Sequence, residues 1–111
     1  MTAITRLDRA LLARLARAGR VQWTFHARTR AAERGFEAAG IDVVLVSGEV
    51  IEEYPNDKPF PGALLLGRVT GRPVHVVAAV DRTGRMSYVI TVYEPSRQHF
   101  EDDFRTRRKP R

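Results

Sequence analysis

The chain contains no cysteine, and this absence excludes several chemistries at once. Disulfide bonds, thiolate zinc sites, iron–sulfur clusters and cysteine nucleophiles all require a thiol. Long apolar runs are missing too, since no uncharged stretch approaches the ~18 residues that span a membrane. Arg6, Asp8 and Arg9 stand where a secretory signal needs an apolar stretch. We therefore expect a cytoplasmic protein without a membrane segment.

The common cofactor and metal motifs are also missing. The glycines form neither G-x-G-x-x-G nor a Walker loop, so the sequence predicts no nucleotide cofactor. The histidines, His26, His75 and His99, are not paired at a metal-ligand spacing. No serine lies in G-x-S-x-G. We expect an activity that uses neither a metal nor a cofactor.

Positive charge is abundant and uneven. The chain has 111 residues, enough for one domain, and its 19 Lys and Arg against 13 Asp and Glu give a net charge of +6. Residues 1–34 hold eight arginines and two acids, and residues 97–111 hold six cations and three acids. These basic ends predict an anionic partner. A bias toward arginine codons explains the same composition equally well.

Apolar periodicity predicts three helices in the first part of the chain. Leucines three and four residues apart indicate an amphipathic helix over residues 4–18, with arginines on its other side. A second helix is expected to begin after the N-cap Thr24 and to end at Gly35. A third is expected over residues 37–47.

From residue 49 onward the sequence predicts strands and turns. After a strand over residues 49–54 and a Pro-rich loop, three apolar runs of strand length are expected to form an antiparallel meander. These runs are Ala63–Val69, Pro73–Val80 and Met86–Glu94. A short helix from Ser96 to about Phe104 and a basic flexible tail over residues 105–111 follow. The order predicts an α+β domain over residues 1–104.

The remaining polar residues suit RNA cleavage without a metal. A base must take the 2′-hydroxyl proton, cations must stabilise the phosphorane, and an acid must protonate the 5′-oxygen. His26 and Arg30 share one helix flank, whereas His75 and Tyr93 lie on adjacent predicted strands. We expect these four to meet at a groove, with Arg72 adding a cation.

Structural interpretations of the same residues stay open. His26 lies in a first helical turn and can serve there as a hydrogen-bonding partner. A histidine inside an apolar strand, such as His75, is more often a satisfied core residue, and Tyr93 can simply cover the sheet. Composition and spacing alone therefore support a basic α+β domain that binds RNA.

Four separated segments resemble the domain-of-unknown-function family 4258 (DUF 4258). They are Trp23–Phe36, Gly48–Pro55, Gly71–Val77 and Thr91–Pro95, and the resemblance covers about residues 20–104. The family in turn resembles the RelE/MqsR group of bacterial toxins, small basic α+β proteins that cut messenger RNA. The resemblance implies a RelE-like fold, with N-terminal helices packed on an antiparallel sheet of about four strands. It also implies two partners, mRNA and a cognate antitoxin, for which a YgiT-type zinc-finger protein is a candidate.

The positions that the family motif supports are His26, Arg30, Arg34, Arg72, His75, Tyr93 and Glu94.

We first hypothesise a metal-independent endoribonuclease toxin that cleaves mRNA by 2′-hydroxyl attack. The base is then His26 or His75, and the acid is Tyr93 or the other histidine. Arg30, Arg34, Arg72 and Arg97 are the residues expected to bind RNA. The second hypothesis is a non-catalytic basic module that binds nucleic acid or an acidic protein. The third is a structural domain whose motifs serve folding. The oligomeric state is left unassigned.

Overall fold

A computed structural model describes residues 6–81 and 83–109 of the chain. Their elements run in the order α-β-α-α-β-β-β-β. They are α1 (Arg9–Arg17), β1 (Val21–Trp23), α2 (Phe25–Arg34), α3 (Ala38–Ser47), β2 (Glu49–Tyr54), β3 (Gly62–Val69), β4 (Arg72–Val80) and β5 (Ser87–Tyr93). The predicted α+β class is confirmed.

The strands form a five-stranded mixed sheet in the order β1-β5-β4-β3-β2. Strands β2 to β5 pair antiparallel, as predicted, and β1 pairs parallel with β5 through Val21 and Ser87. The expectation of about four antiparallel strands was therefore wrong by one strand. Three residues are too few to show an alternating pattern, and the partner of β1 lies more than sixty residues away in sequence.

Local capping explains where the helices begin and end. The Thr24 hydroxyl accepts a hydrogen bond from the Ala27 amide, and Gly35 ends α2 in the left-handed region at φ 74°, so this prediction is confirmed. The first helix begins later than predicted, at Arg9, because the Asp8 side chain caps it by accepting from the Leu11 amide. Residues 4 and 5 of that prediction lie outside the described residues.

The segment after β5 is not the predicted short helix. The Phe100 amide donates a hydrogen bond to the Ser96 carbonyl and forms a single turn. The chain then reverses direction, so that Phe100 and Arg107 form an isolated antiparallel β-bridge. Asp103 holds this reversal by accepting from the amides of Arg105 and Thr106. These side-chain bonds to the backbone compete with helix formation. Residues 95–109 are called the C-terminal segment below.

The helices pack on one face of the sheet. Along β4, Val74, Val76, Ala78 and Val80 join the apolar core that the helices complete with residues such as Leu12 and Ile41. Since side chains alternate along a strand, His75, Val77 and Ala79 point to the opposite face. We call this opposite side the open face. It is covered only in part, at one end by the C-terminal segment and at the other by the loop before β3.

Candidate functional site on the open face

Polar side chains from three strands and the C-terminal segment lie near one another on the open face. We call them the polar cluster: Glu52 and Tyr54 of β2, His75 of β4, Tyr93 of β5, and Arg107. The register places His75 directly opposite Tyr93. A β-bulge between Val50 and Glu52 resets the alternation of β2, so that Glu52 pairs with Leu64 of the open face.

His75 is fully buried, yet both of its ring nitrogens have partners. Nε2 lies 2.7 Å from the carbonyl oxygen of Phe104, and Nδ1 lies 3.1 Å from the hydroxyl of Tyr93. A carbonyl oxygen can only accept, so Nε2 carries the proton and Nδ1 of the neutral ring accepts from the Tyr93 hydroxyl. Burial lowers the pKa of His75 and thereby favours this neutral form.

Tyr93 lies at the boundary between the buried histidine and the surface. Its ring stands edge-on to the His75 ring at a centroid distance of 5.1 Å and is partly exposed. Burial raises the pKa of Tyr93, so its hydroxyl keeps its proton at neutral pH. The Tyr93 hydroxyl thus donates its proton to Nδ1 of His75, and this bond holds the Tyr93 oxygen in place at the edge of the buried site.

A carboxylate and a guanidinium form the other half of the polar cluster. Arg107 donates two hydrogen bonds to Glu52, one of them of 3.0 Å, and the Tyr54 hydroxyl donates a third of 2.6 Å. The hydrogen bond from Arg107 is the main reason that the pKa of Glu52 is lowered. Burial and the bond to Glu52 raise the pKa of Tyr54. Glu52 is thus ionised, and Arg107 stays positive beside it.

The C-terminal segment covers the histidine. The Phe100 ring packs edge-on against the His75 ring at 4.6 Å, and Arg107 lies 4.8 Å above the Phe100 ring. Phe104 adopts φ 57°, an uncommon conformation for a bulky residue, and presents its carbonyl to His75 in that state. Arg105 adds a two-point contact with Glu49, with distances of 2.8 and 2.6 Å.

The structure separates the two histidines that we expected to meet. His26 is exposed on α2, and α2 packs through Ala27 and Ala31 on the face opposite His75. The sheet therefore lies between the two rings. Arg30 shares the helix surface with His26 and forms an exposed ion pair with Glu33 at 3.5 Å. The predicted groove containing both histidines does not form.

The other predicted RNA-binding arginines are spread over the molecule. Arg34 is exposed in the last turn of α2. Arg72 lies 4.3 Å above the Phe36 ring and 2.8 Å from Glu94, at the helix side of the sheet. Arg97 lies 5.5 Å above the Phe104 ring. Among them, Arg97 is the one on the segment that covers His75.

Sequence reasoning missed three of the five residues of the polar cluster. Glu52 and Tyr54 had one signal, a Glu-Glu-Tyr run inside a strand, which the β-bulge turns toward the open face. No sequence signal pointed to Arg107, because it lies in a stretch whose composition predicts a flexible basic tail. The described part of that tail, residues 105–109, is held to β2 by Arg105 and Arg107.

An α+β domain with helices on one sheet face and a polar cluster on the other is the class that the fold and site define. Residues 23–94 match the family model described as Domain of unknown function (DUF4258). The chain therefore belongs to this family, as its motifs predicted. Comparison with curated proteins and with solved structures gave no match. Arg107 lies beyond the matched residues, whereas the other four members of the polar cluster lie within them.

In the described part of the chain, no helix is long and apolar enough to cross a membrane.

Proposed function

We propose that the chain is a RelE-like endoribonuclease that cleaves mRNA without a metal, and that its site is the polar cluster. One observation carries the proposal: the hydrogen-bonded pair of His75 and Tyr93 and the ion pair of Glu52 and Arg107 share the open face, where the Phe100 ring contacts both His75 and Arg107. A proton donor, a carboxylate and a fixed cation are the groups that 2′-hydroxyl attack on a phosphodiester requires. Helices on one side and a partly uncovered sheet on the other support the RelE-like assignment.

The reaction divides between Glu52 and Tyr93. The Glu52 carboxylate takes the proton of the 2′-hydroxyl while the 2′-oxygen forms a bond to phosphorus. The bond from phosphorus to the 5′-oxygen breaks, and the Tyr93 hydroxyl rotates away from Nδ1 of His75 and gives its proton to this oxygen. Arg107 stabilises the added negative charge on the phosphorane. The products are a 2′,3′-cyclic phosphate and a 5′-hydroxyl, and water restores both protonation states.

His75 is a positioning residue in this scheme. It is buried and does not touch RNA, but its Nδ1 fixes the Tyr93 oxygen and its Nε2 fixes the C-terminal segment that carries Arg107. The base is Glu52 rather than His75 or His26. An ionised carboxylate can accept about four hydrogen bonds and Glu52 accepts three, whereas the single lone pair of His75 Nδ1 is taken by Tyr93 and His26 lies across the sheet.

A labelled single-stranded RNA incubated with the protein in excess EDTA tests the proposal. The wild type should produce fragments, and Tyr93→Phe should reduce the rate about 10²–10⁴-fold, the usual contribution of a general acid. His26→Gln is the control variant, since its exposed ring lies outside the polar cluster. The control should cleave at the wild-type rate. Equal rates in the wild type and Tyr93→Phe would overturn the assignment of the acid.

Growth of cells expressing the gene tests the toxin assignment. Induction of the wild type should arrest growth, and Tyr93→Phe at the same protein level should relieve the arrest. A cognate antitoxin, for which a YgiT-type zinc-finger protein is the candidate, should restore growth by covering the open face. Normal growth at high levels of wild-type protein would contradict this role.

The second candidate function is binding of nucleic acid or an acidic protein without cleavage. It is favoured by the fact that both nitrogens of His75 already have partners inside the protein. The exposed arginines of α2, Arg28, Arg30 and Arg34, would then form the binding surface. The EDTA incubation separates the two functions, because RNA that is retarded but intact indicates binding alone. Such binding should weaken steeply with salt, since phosphate contacts release counterions.

A further inference from the structure

A second feature of the open face is an apolar groove of about 390 Å³ between β4, β5 and the loop before β3. Its volume falls within the range of small-ligand pockets. We call it the aromatic groove; its lining includes Lys58, Pro59, Phe60, Ala79, Tyr88 and Ile90.

One side of the aromatic groove is a stacked pair of flat rings, and its floor is made of small residues. Phe60 and Tyr88 stack with a centroid distance of 5.5 Å and an angle of 20° between their planes. Gly62 and Ala79 lie opposite each other in the β3–β4 pair. A Cβ on Gly62 would approach the Ala78 carbonyl oxygen to 2.8 Å, so this position stays without a side chain. The inner faces of the two rings contact each other, so the groove is an apolar hollow in which the outer face of this aromatic pair is left for a ligand.

The aromatic groove and the polar cluster lie on the same face of the sheet, one after the other along β4 and β5. Val77, which also lines it, follows His75 by two residues on the same face of β4, a step of roughly 7 Å along a strand. Thr91 pairs with Val77 and links Tyr93 to Tyr88 along β5. A chain with one unit bound at Tyr93 can therefore place a neighbouring unit in the groove.

We propose that the aromatic groove binds an unpaired RNA base next to the phosphate that is cleaved at the polar cluster. The inference rests on the proposed nuclease function and identifies its substrate as single-stranded RNA. Bases have flat apolar faces that stack on aromatic side chains whatever their sequence. At the mouth of the groove, Lys58 offers a cation to a phosphate, and Asp57 offers an acceptor to the amino group of a base.

Binding of a fluorescent, fully 2′-O-methylated RNA of about eight nucleotides tests the groove. This probe lacks the attacking 2′-hydroxyl, so it is bound without being cut. Ala79→Leu fills the floor, and Phe60→Ala removes a wall at a residue outside the apolar core cluster. Both should weaken binding about 10- to 100-fold, the usual contribution of base stacking. Phe25→Ala is the matched control, because Phe25 is 85% exposed and does not line the groove.

Probes in which each nucleotide in turn is abasic locate the stacked base. An abasic site at one position should weaken binding of the probe to the wild type. The same abasic site should not change the affinity of the Ala79→Leu variant. Wild-type affinity in both groove variants would overturn the inference.

The two proposals fail in different ways. Binding through the groove without fragments from unmodified RNA would contradict the nuclease and leave the base site standing. Cleavage of unmodified RNA together with unchanged probe binding in Phe60→Ala and Ala79→Leu would contradict the base site and leave the nuclease standing. A wild-type protein that cuts unmodified RNA but does not bind the probe would contradict the base site and leave the nuclease standing.

Discussion

The Nε2 atom of His75 donates a hydrogen bond of 2.7 Å to the carbonyl oxygen of Phe104, joining the middle of the sheet to the C-terminal segment. Phe104 accepts this bond in the left-handed region, at φ 57°. The same ring receives the Tyr93 hydroxyl on Nδ1. One buried imidazole thus sets the position of the proposed acid and of the segment that carries Arg107.

Replacing His75 should destabilise the fold. His75→Leu leaves the Phe104 carbonyl and the Tyr93 hydroxyl without their partner, and an unsatisfied buried polar group costs ~1–3 kcal/mol. Urea denaturation should show this loss in the free energy of unfolding. His99→Leu is the control, since His99 is exposed in the C-terminal segment and should have little effect. A His75→Leu variant as stable as the wild type would contradict the bonding scheme.

The stability of the protein should decrease as the pH falls from 7.5 to 5.5. The pKa of His75 is lowered in the folded state by burial, so below its unfolded value of about 6.5 the unfolded chain binds a proton that the folded chain does not. Protonation therefore favours unfolding. The groups that face His75 are Tyr93, Glu52, Arg107 and the Phe104 carbonyl. The pKa of Glu52 is lowered from an already acidic value, so protonation of Glu52 affects stability only at pH values below this range.

Urea denaturation across this pH range measures the effect. The decrease should be smaller in His75→Gln and should persist in His26→Gln. If His75→Gln shows the full wild-type decrease, another group is responsible.

The N-cap of α2 should be needed for the attachment of this helix to the sheet. The Thr24 hydroxyl accepts from the Ala27 amide at 3.0 Å and donates to the Ile90 carbonyl at 2.7 Å. Thr24→Ala removes both bonds and should cost ~1–2 kcal/mol, as measured in thermal or urea unfolding. Thr24→Ser keeps the hydroxyl and should recover most of the loss. Equal losses in both variants would show that the methyl group matters instead.

The contact between Arg105 and Glu49 should hold the C-terminal segment against β2. Glu49→Arg places like charges together and should speed amide hydrogen exchange in residues 100–108, whereas the double exchange Glu49→Arg with Arg105→Glu should restore protection. The effect should decrease with salt, because both side chains are about half exposed. Unchanged exchange in Glu49→Arg would contradict a holding role.

Local signals in the sequence predicted most of the fold and two of the five residues of the polar cluster. Capping residues such as Thr24 and Gly35 act within their own helix, so α2 was predictable. Strand β1 and the fold of the C-terminal segment depend on partners distant in sequence, such as Ser87 and Glu49, and no local pattern encodes them. His75 and Tyr93 were found because polar residues stand out in apolar strands, and Arg107 was missed because its partner lies in β2.

The chemistry of the cut ends tests the proposed nuclease most directly. RNA incubated with the wild-type protein in EDTA should yield upstream fragments ending in a 2′,3′-cyclic phosphate and downstream fragments beginning with a 5′-hydroxyl, and Tyr93→Phe should yield few of either. Intact RNA, or fragments with 3′-hydroxyl and 5′-phosphate ends, would contradict 2′-hydroxyl attack at the polar cluster.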